Sequence, residues 1–280
     1  MVAISTITLR TGSRPVISRS IQTSTSGKTS QVTDRPLLDP ADVPIRPAAT
    51  VMLIRDHAEG DGIEVFMLRR TLAAAFGSGM YVFPGGRVET HDGDNVEHAH
   101  RLAAIRECFE EAGVLLATHR ETGAHVVDGH PALAERHAIH DGSAELLALC
   151  EAHDLVPTIA EMAWVSHWIT PIGEQRRFDT RFYLVPAPPE QTSVHDDNET
   201  IASLWVRPSE ALARQAAGEL TMMPPTIKNL TFLAGFGTVD EAMRVAVDMP
   251  PPPCILPKVQ FVDGRIVGVL LPGEAGYDEL

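Results

Sequence analysis

Residues 106–113 read RECFEEAG, and three of the four charged side chains in this octet carry the same sign. On a helix, Glu107 lies three positions before Glu110 and four before Glu111, so all three carboxylates project from one side. Like charges at this spacing destabilise a helix by about 0.2–0.5 kcal/mol per pair. Arg106, four residues before Glu110, offsets only part of that. A hard divalent cation with oxygen ligands removes the conflict, which makes Glu107, Glu110 and Glu111 candidate ligands for Mg²⁺ or Mn²⁺. A solvated acidic face explains the same spacing without any metal. Two neighbours favour the metal: Gly113 ends the helix directly after the carboxylates, and FPGG at 83–86 offers backbone carbonyls on a chain that glycine lets approach closely.

Working outward, Asp94 or Asn95 is placed to cap a helix running to Ala112. Upstream, AATVMLIRD (48–56) and IEVFMLRR (63–70) read as strands joined by the turn-forming AEGDG, and MYVFPGG (80–86) as a short strand stopped at Pro84. Residues 119–157, rich in His, Ala and Leu, read as a helical insertion. Strands resume at EMAWVSHWITP (161–171), RRFDTRFYLVP (176–186) and IASLWV (201–206). In the second of these, Phe178, Thr180, Phe182 and Leu184 alternate with Asp179, Arg181 and Tyr183, which predicts one buried face. Pro208 suits the first turn of a helix to Ala217, and Thr238 with Glu241 has capping-box spacing before another. KVQFV-DG-RIVGVLL (258–271) reads as a hairpin turning at Asp263-Gly264. Mixed strands interrupted by helices predict an α+β or α/β/α layered domain, here assigned to 45–235, with a disordered tail at 1–44 and a helix-and-hairpin extension at 236–280.

The 280 residues carry a formal net charge of −14. Such a balance repels nucleic acid at long range but admits a small anionic substrate where metal or arginine supplies positive charge. Cys108, Cys150 and Cys254 form no paired motif, which suits a reducing cytoplasm, and no apolar run is long enough to span a membrane. The first 33 residues contain Arg10, Arg14, Arg19 and Lys28 but no acid, a composition shared by disordered tails and mitochondrial targeting segments. Twelve histidines, among them His98, His100, His137 and His140, are read as surface composition. Trp164, Trp168 and Trp205 are assigned to the core.

The stretch Arg106 to Val114 resembles the second half of the box that defines the Nudix hydrolases, G-x5-E-x7-R-E-U-x-E-E-x-G-U with U a bulky apolar residue, and Gly86 matches its leading glycine. The middle departs: Asp92 stands for the first glutamate, and thirteen residues rather than seven separate it from Arg106. The resemblance implies an α/β/α sandwich with a mixed sheet, and hydrolysis of a nucleoside diphosphate linked to another group. It further implies Glu107 and Glu111 as first ligands, with Glu110 and the Gly86 carbonyl completing the shell. Arg106 would orient the carboxylates, and Glu199 lies where a loop base often sits. Arg70, Gly79 and Phe83-Pro84-Gly85-Gly86 are similar to a motif of the coenzyme A-hydrolysing branch, although Thr71-Leu72 replaces its Ser-Ala and Ala75 its second arginine. WITP, RRFDTRFYL and PPT (224–226) resemble a longer subgroup, close to the peroxisomal coenzyme A diphosphatase of mammals. Arg176, Arg177 and Arg181 then stand in for the missing guanidinium, and Arg70, Arg177, Arg181 and Phe83 are the expected substrate contacts. Coenzyme A or an acyl-CoA is favoured over ADP-ribose or a dinucleotide, and over a non-catalytic nucleotide sensor. A small-molecule partner is expected rather than nucleic acid or membrane, with a homodimer left open.

Overall fold

The computed structural model describes residues 43–60, 62–72, 77–196, 199–262 and 265–280. The N-terminal tail to residue 42, Ala75 and the Asp263-Gly264 turn lie outside them. The chain runs β1 (Ile45–Asp56), β2 (Ile63–Arg70), β3 (Tyr81–Val82), β4 (Gly85–Arg87), α1 (Val96–Ala112), β5 (Ala117–His119), α2 (Arg136–His140), α3 (Leu146–Ala152) and β6 (Leu155–Pro157). It continues through β7 (Ala163–Ile169), β8 (Arg177–Pro186), β9 (Thr200–Val206), α4 (Pro208–Ala216), α5 (Pro224–Leu233), α6 (Val239–Asp248), β10 (Cys254–Ile255), β11 (Lys258–Val262) and β12 (Arg265–Leu270).

Strand β1 is central because its run Ala48–Ile54 is apolar at nearly every position, as a strand covered on both faces requires. It pairs parallel with β8 and antiparallel with β2 and β4, within a mixed sheet ordered β10-β7-β8-β1-β2-β3. Alternate side chains feed two cores. Val51, Leu53, Phe66 and Leu68 meet Ile105, Cys108 and Phe109 of α1 on one face. Met52, Ile54 and Met67 meet Leu230, Leu233, Ala242 and Ala246 of α5 and α6 on the other. Helices on both faces of a mixed sheet give the expected α/β/α sandwich.

Helix α1 has the expected ends. Asn95 accepts a hydrogen bond from the His98 amide at 3.0 Å, and Gly113, at φ 71°, donates back to the Phe109 carbonyl.

Some expectations need correcting. The insertion is not helical throughout, since its ends pair as β5 and β6 around two short helices and a 3₁₀ turn. Tyr183 is fully buried, because the later half of β8 is covered on both faces. Within 236–280 the expected helix and hairpin are α6 and β11–β12; α6 also inserts Ala242 and Ala246 into the second core, and Cys254–Ile255 pair with His167–Trp168 at the sheet edge. Among the described residues, no helix is long and apolar enough to cross a membrane.

Candidate active site

The three glutamates of α1 face the Pro84–Arg87 segment because β4 is hydrogen-bonded to β1 beneath them, with Gly86 opposite Ala49 and Gly85 opposite Thr50. The Gly85 amide donates to Glu111 Oε2 at 2.9 Å. At Gly86 a Cβ would lie 2.3 Å from Glu107 Oε1, so only glycine lets this backbone pass the carboxylate.

Arg106 organises the cluster. Its Nε and one terminal nitrogen donate to the two oxygens of Asp92 at 3.0 and 3.1 Å, and that terminal nitrogen also donates to the Arg87 carbonyl at 2.7 Å. The other terminal nitrogen donates to Glu107 Oε1 at 2.9 Å and Glu110 Oε1 at 3.0 Å. Every N–H of the guanidinium therefore has an acceptor. Burial works against this charge, but the Asp92 hydrogen bonds and the surrounding carboxylates outweigh it and raise the arginine's pKa. Asp92 is itself buried and anchors Arg106. The thirteen residues between them form the Gly93–Asn95 loop and the first ten residues of α1, leaving the glutamate turn intact.

Glu111 is only 3% exposed. Burial raises the Glu107 carboxyl to about 7, with further repulsion from Glu110 and Glu199 against the pull of Arg106. Burial and the Glu107 charge push Glu111 well above the usual range, and burial raises Glu110. Arg70 reaches the same spot from the end of β2, its terminal nitrogens 3.8 Å from Glu111 Oε1 and 3.7 Å from Glu199 Oε2. Glu199, from the loop before β9, is thereby brought to the glutamate turn across 88 residues of sequence.

Arg70, Gly85, Gly86, Arg106, the three glutamates and Glu199 line a cavity of about 1040 Å³, with Asp92 behind them. Arg176 and Arg177 line its other end. Arg181 does not: it pairs with Glu97 and stacks over Trp164 with its guanidinium carbon 4.5 Å from the ring centre. Glu97 and Trp164 take up its guanidinium, so the expected substrate contact is not available there. Phe83 is 3% exposed and packs in the second core, forming cavity wall rather than an open stacking platform.

Two residues of the insertion join the site unannounced by the sequence. Arg136 donates from Nε to the Glu110 carbonyl at 3.0 Å, and His140 Nδ1 lies 3.9 Å from Glu110 Oε2. Only their i, i+4 spacing on one helix, and the acidity of the neighbouring turn, pointed that way.

An oxygen-only donor set, buried or half-buried, whose burial and mutual repulsion raise all three carboxyls, fits a hard divalent cation. No three His, Cys, Asp or Glu side chains among the described residues enclose an ion by themselves. Backbone carbonyl, water and substrate oxygens would have to complete the shell, as is usual for magnesium.

Comparison with known proteins agrees with this geometry. Residues 93–233 match the NUDT19 Nudix domain family. The chain is 34% identical over 204 residues to the acyl-coenzyme A diphosphatase NUDT19 of Gallus gallus, covering 65% of this chain and 53% of that protein. It is 26% identical over 276 residues to the Xenopus laevis protein of the same name, covering 77% and 72%. It thus spans about half the length of the chicken relative. The crystal structure of a Nudix hydrolase from Alicyclobacillus acidocaldarius superposes with a TM-score of 0.67 at 29% identity, covering 75% of this chain and all of that one. With its RECFEEAG turn seated on a Gly-Gly strand and half its length matching one family, the chain belongs to the Nudix hydrolases.

Proposed function

We propose that this protein hydrolyses the diphosphate linkage of a nucleoside diphosphate derivative, and that coenzyme A or an acyl-CoA is the substrate. The observation that carries the reading is the buried Glu107–Glu111 pair, held by Arg106 and Gly85 at one end of a cavity large enough for a nucleotide. The relatives' printed names support the choice of substrate.

Glu107 and Glu111 would hold a magnesium or manganese ion, with Glu110 and the Gly86 carbonyl beside them. Such an ion, when bound, offsets phosphate charge and lowers the pKa of water. Arg106 positions two of the carboxylates and leaves them no freedom to swing away. Arg70 bridges Glu111 and Glu199 and offers a cation to phosphate oxygens. Glu199, the most exposed of these acids, is placed to take the proton of the attacking water. One water adds to phosphorus, the bridging P–O bond breaks, and the displaced phosphate leaves as the second monoester.

Incubation of the purified chain with Mg²⁺ and a panel of diphosphates tests this. The expected products from coenzyme A are 3′,5′-ADP and 4′-phosphopantetheine. Cleavage of ADP-ribose or dinucleotides in preference to every CoA species would overturn the substrate, and no cleavage at all would overturn the activity.

A further inference from the structure

We infer that the cavity contains a second anion subsite, in which Arg46, Arg176 and Arg177 receive a phosphomonoester carried elsewhere on the same substrate; this deepens the diphosphatase reading and rests on it. Arg177 carries the argument. It is 6% exposed and lines the cavity, yet its one side-chain hydrogen bond is from Nε to the Thr170 carbonyl at 3.0 Å, and no carboxylate among the described residues pairs with it. Half-buried Arg69, away from the cavity, has only the Gly79 carbonyl and the Tyr81 ring among the described residues, but three other arginines are matched by charge. Arg106 meets three carboxylates, Arg101 meets Glu97 and two carbonyls, and Arg70 meets two glutamates. A buried guanidinium without a counter-charge is costly, and an anion arriving from the cavity supplies what the protein does not.

Arg46 and Arg176 add to the same end. Both line the cavity and are exposed, and neither has a side-chain partner among the described residues. Parallel pairing sets Ile45 opposite Arg177 and Arg46 opposite Phe178, so the three arginines collect where β1 and β8 begin. Gly86, beside the glutamates, pairs with Ala49, three residues along β1 from Arg46, or roughly 10 Å of strand. One end of the cavity is therefore acidic and suited to a metal–diphosphate, and the other is cationic and free of carboxylate partners.

A ligand that satisfies both ends carries a diphosphate and, across a nucleoside, a separate phosphate. Coenzyme A has such a group at its ribose 3′ position; dephospho-coenzyme A, ADP-ribose and simple dinucleotides do not. Planar guanidinium groups suit phosphate oxygens through paired hydrogen bonds.

The test compares coenzyme A with dephospho-coenzyme A on the full chain. We expect kcat/KM to favour coenzyme A by about tenfold or more, mainly through KM. Arg177→Ala and the double variant Arg46→Ala/Arg176→Ala should each bring that ratio toward one. The double variant changes only exposed side chains, so it decides the matter if Arg177→Ala does not fold. Equal turnover of both compounds by the unaltered protein, or a ratio untouched in the double variant, overturns the subsite while leaving the diphosphatase standing. If neither compound is cleaved, the diphosphatase reading fails, and calorimetry of 3′,5′-ADP against 5′-AMP decides the subsite alone. Tighter binding of the bisphosphate, lost in the double variant, supports it; equal binding overturns it.

Discussion

Arg106 and Asp92 form a buried two-point pair, with Nε 3.0 Å from one carboxylate oxygen and a terminal nitrogen 3.1 Å from the other. This pair fixes the guanidinium whose remaining donors hold Glu107 and Glu110. Removing Asp92 leaves two N–H groups of the buried guanidinium without acceptors while Glu107 and Glu110 still offset its charge, at a cost of about 1–3 kcal/mol. Asp92→Ala should therefore lower the urea midpoint by that equivalent, and the loss should exceed that of an exposed pair such as Arg120–Asp154 broken by Asp154→Ala. A change within 1 kcal/mol would show that Asp92 is not the anchor.

Glu111→Gln should move stability and activity in opposite directions. The substitution removes a carboxyl whose ionisation is opposed by burial and by the Glu107 charge, so toward alkaline pH, where that carboxyl ionises, the metal-free variant should melt at a higher temperature than the unaltered protein. Turnover should fall by more than the roughly 10–100-fold that loss of an outer-shell partner costs. A variant that melts lower and turns over normally would place the chemistry elsewhere.

The same repulsion sets a pH dependence. Glu107 is raised to about 7 by burial, ahead of the repulsion from its acidic neighbours, and Glu110 and Glu111 are raised too. Between the ordinary carboxylate range and about pH 7 the folded state then holds more protons than the unfolded one. The stability contributed by these groups is complete below the unfolded pKa and is lost as pH rises through the folded one. Thermal melts of the metal-free protein should show this decline from about pH 4.5 upward, and millimolar Mg²⁺ should flatten it. Calorimetry in buffers of different ionisation enthalpy should detect proton release on metal uptake below pH 7, fading above it. Uptake with no proton release at pH 6 would contradict protonated glutamates.

Gly85 and Gly86 should respond differently to alanine. At Gly85 a Cβ meets the Ala49 carbonyl at 2.5 Å and the Thr50 Cα at 2.7 Å, atoms of the central strand that cannot give way. At Gly86 it meets the Glu107 carboxylate, the movable end of a side chain. Gly85→Ala should cost about 1–3 kcal/mol of stability, whereas Gly86→Ala should leave the fold and abolish metal uptake. Matching melting curves for the two variants would refute the distinction.

Much of this was readable before any coordinates. Asn95 and Gly113 bracket α1 because capping is local chemistry, and the glutamate turn declared itself by charges three and four residues apart. The apolar run of β1, interrupted only by Thr50, marks a buried strand; the alternating β8 hides its covering, since Tyr183 is buried by tertiary packing that no period reveals. Asp92 was ambiguous for a related reason. Its partner lies fourteen residues away across a loop, and only the fold shows that it meets Arg106. Arg177 and Arg181 share one face of β8 and look equivalent in sequence, yet Arg177, at the start of the strand, lines the cavity, while Arg181, further along it, is taken up by Glu97 and Trp164. Cys254–Ile255 are too short a strand to carry any pattern.

Glu199 offers the clearest separation of proton transfer from metal binding. Its carboxylate is half exposed, on a loop, and among the described residues it is joined to the cluster through Arg70 at 3.7 Å. If it serves as the base, Glu199→Gln should lower kcat by about 10²–10⁴-fold while leaving magnesium titrations unaltered. The carboxamide keeps the size of the side chain, so loss of packing does not account for such a fall. A variant that loses magnesium affinity in step with kcat would instead make Glu199 a ligand, and one with full activity would leave the proton to the glutamates of α1.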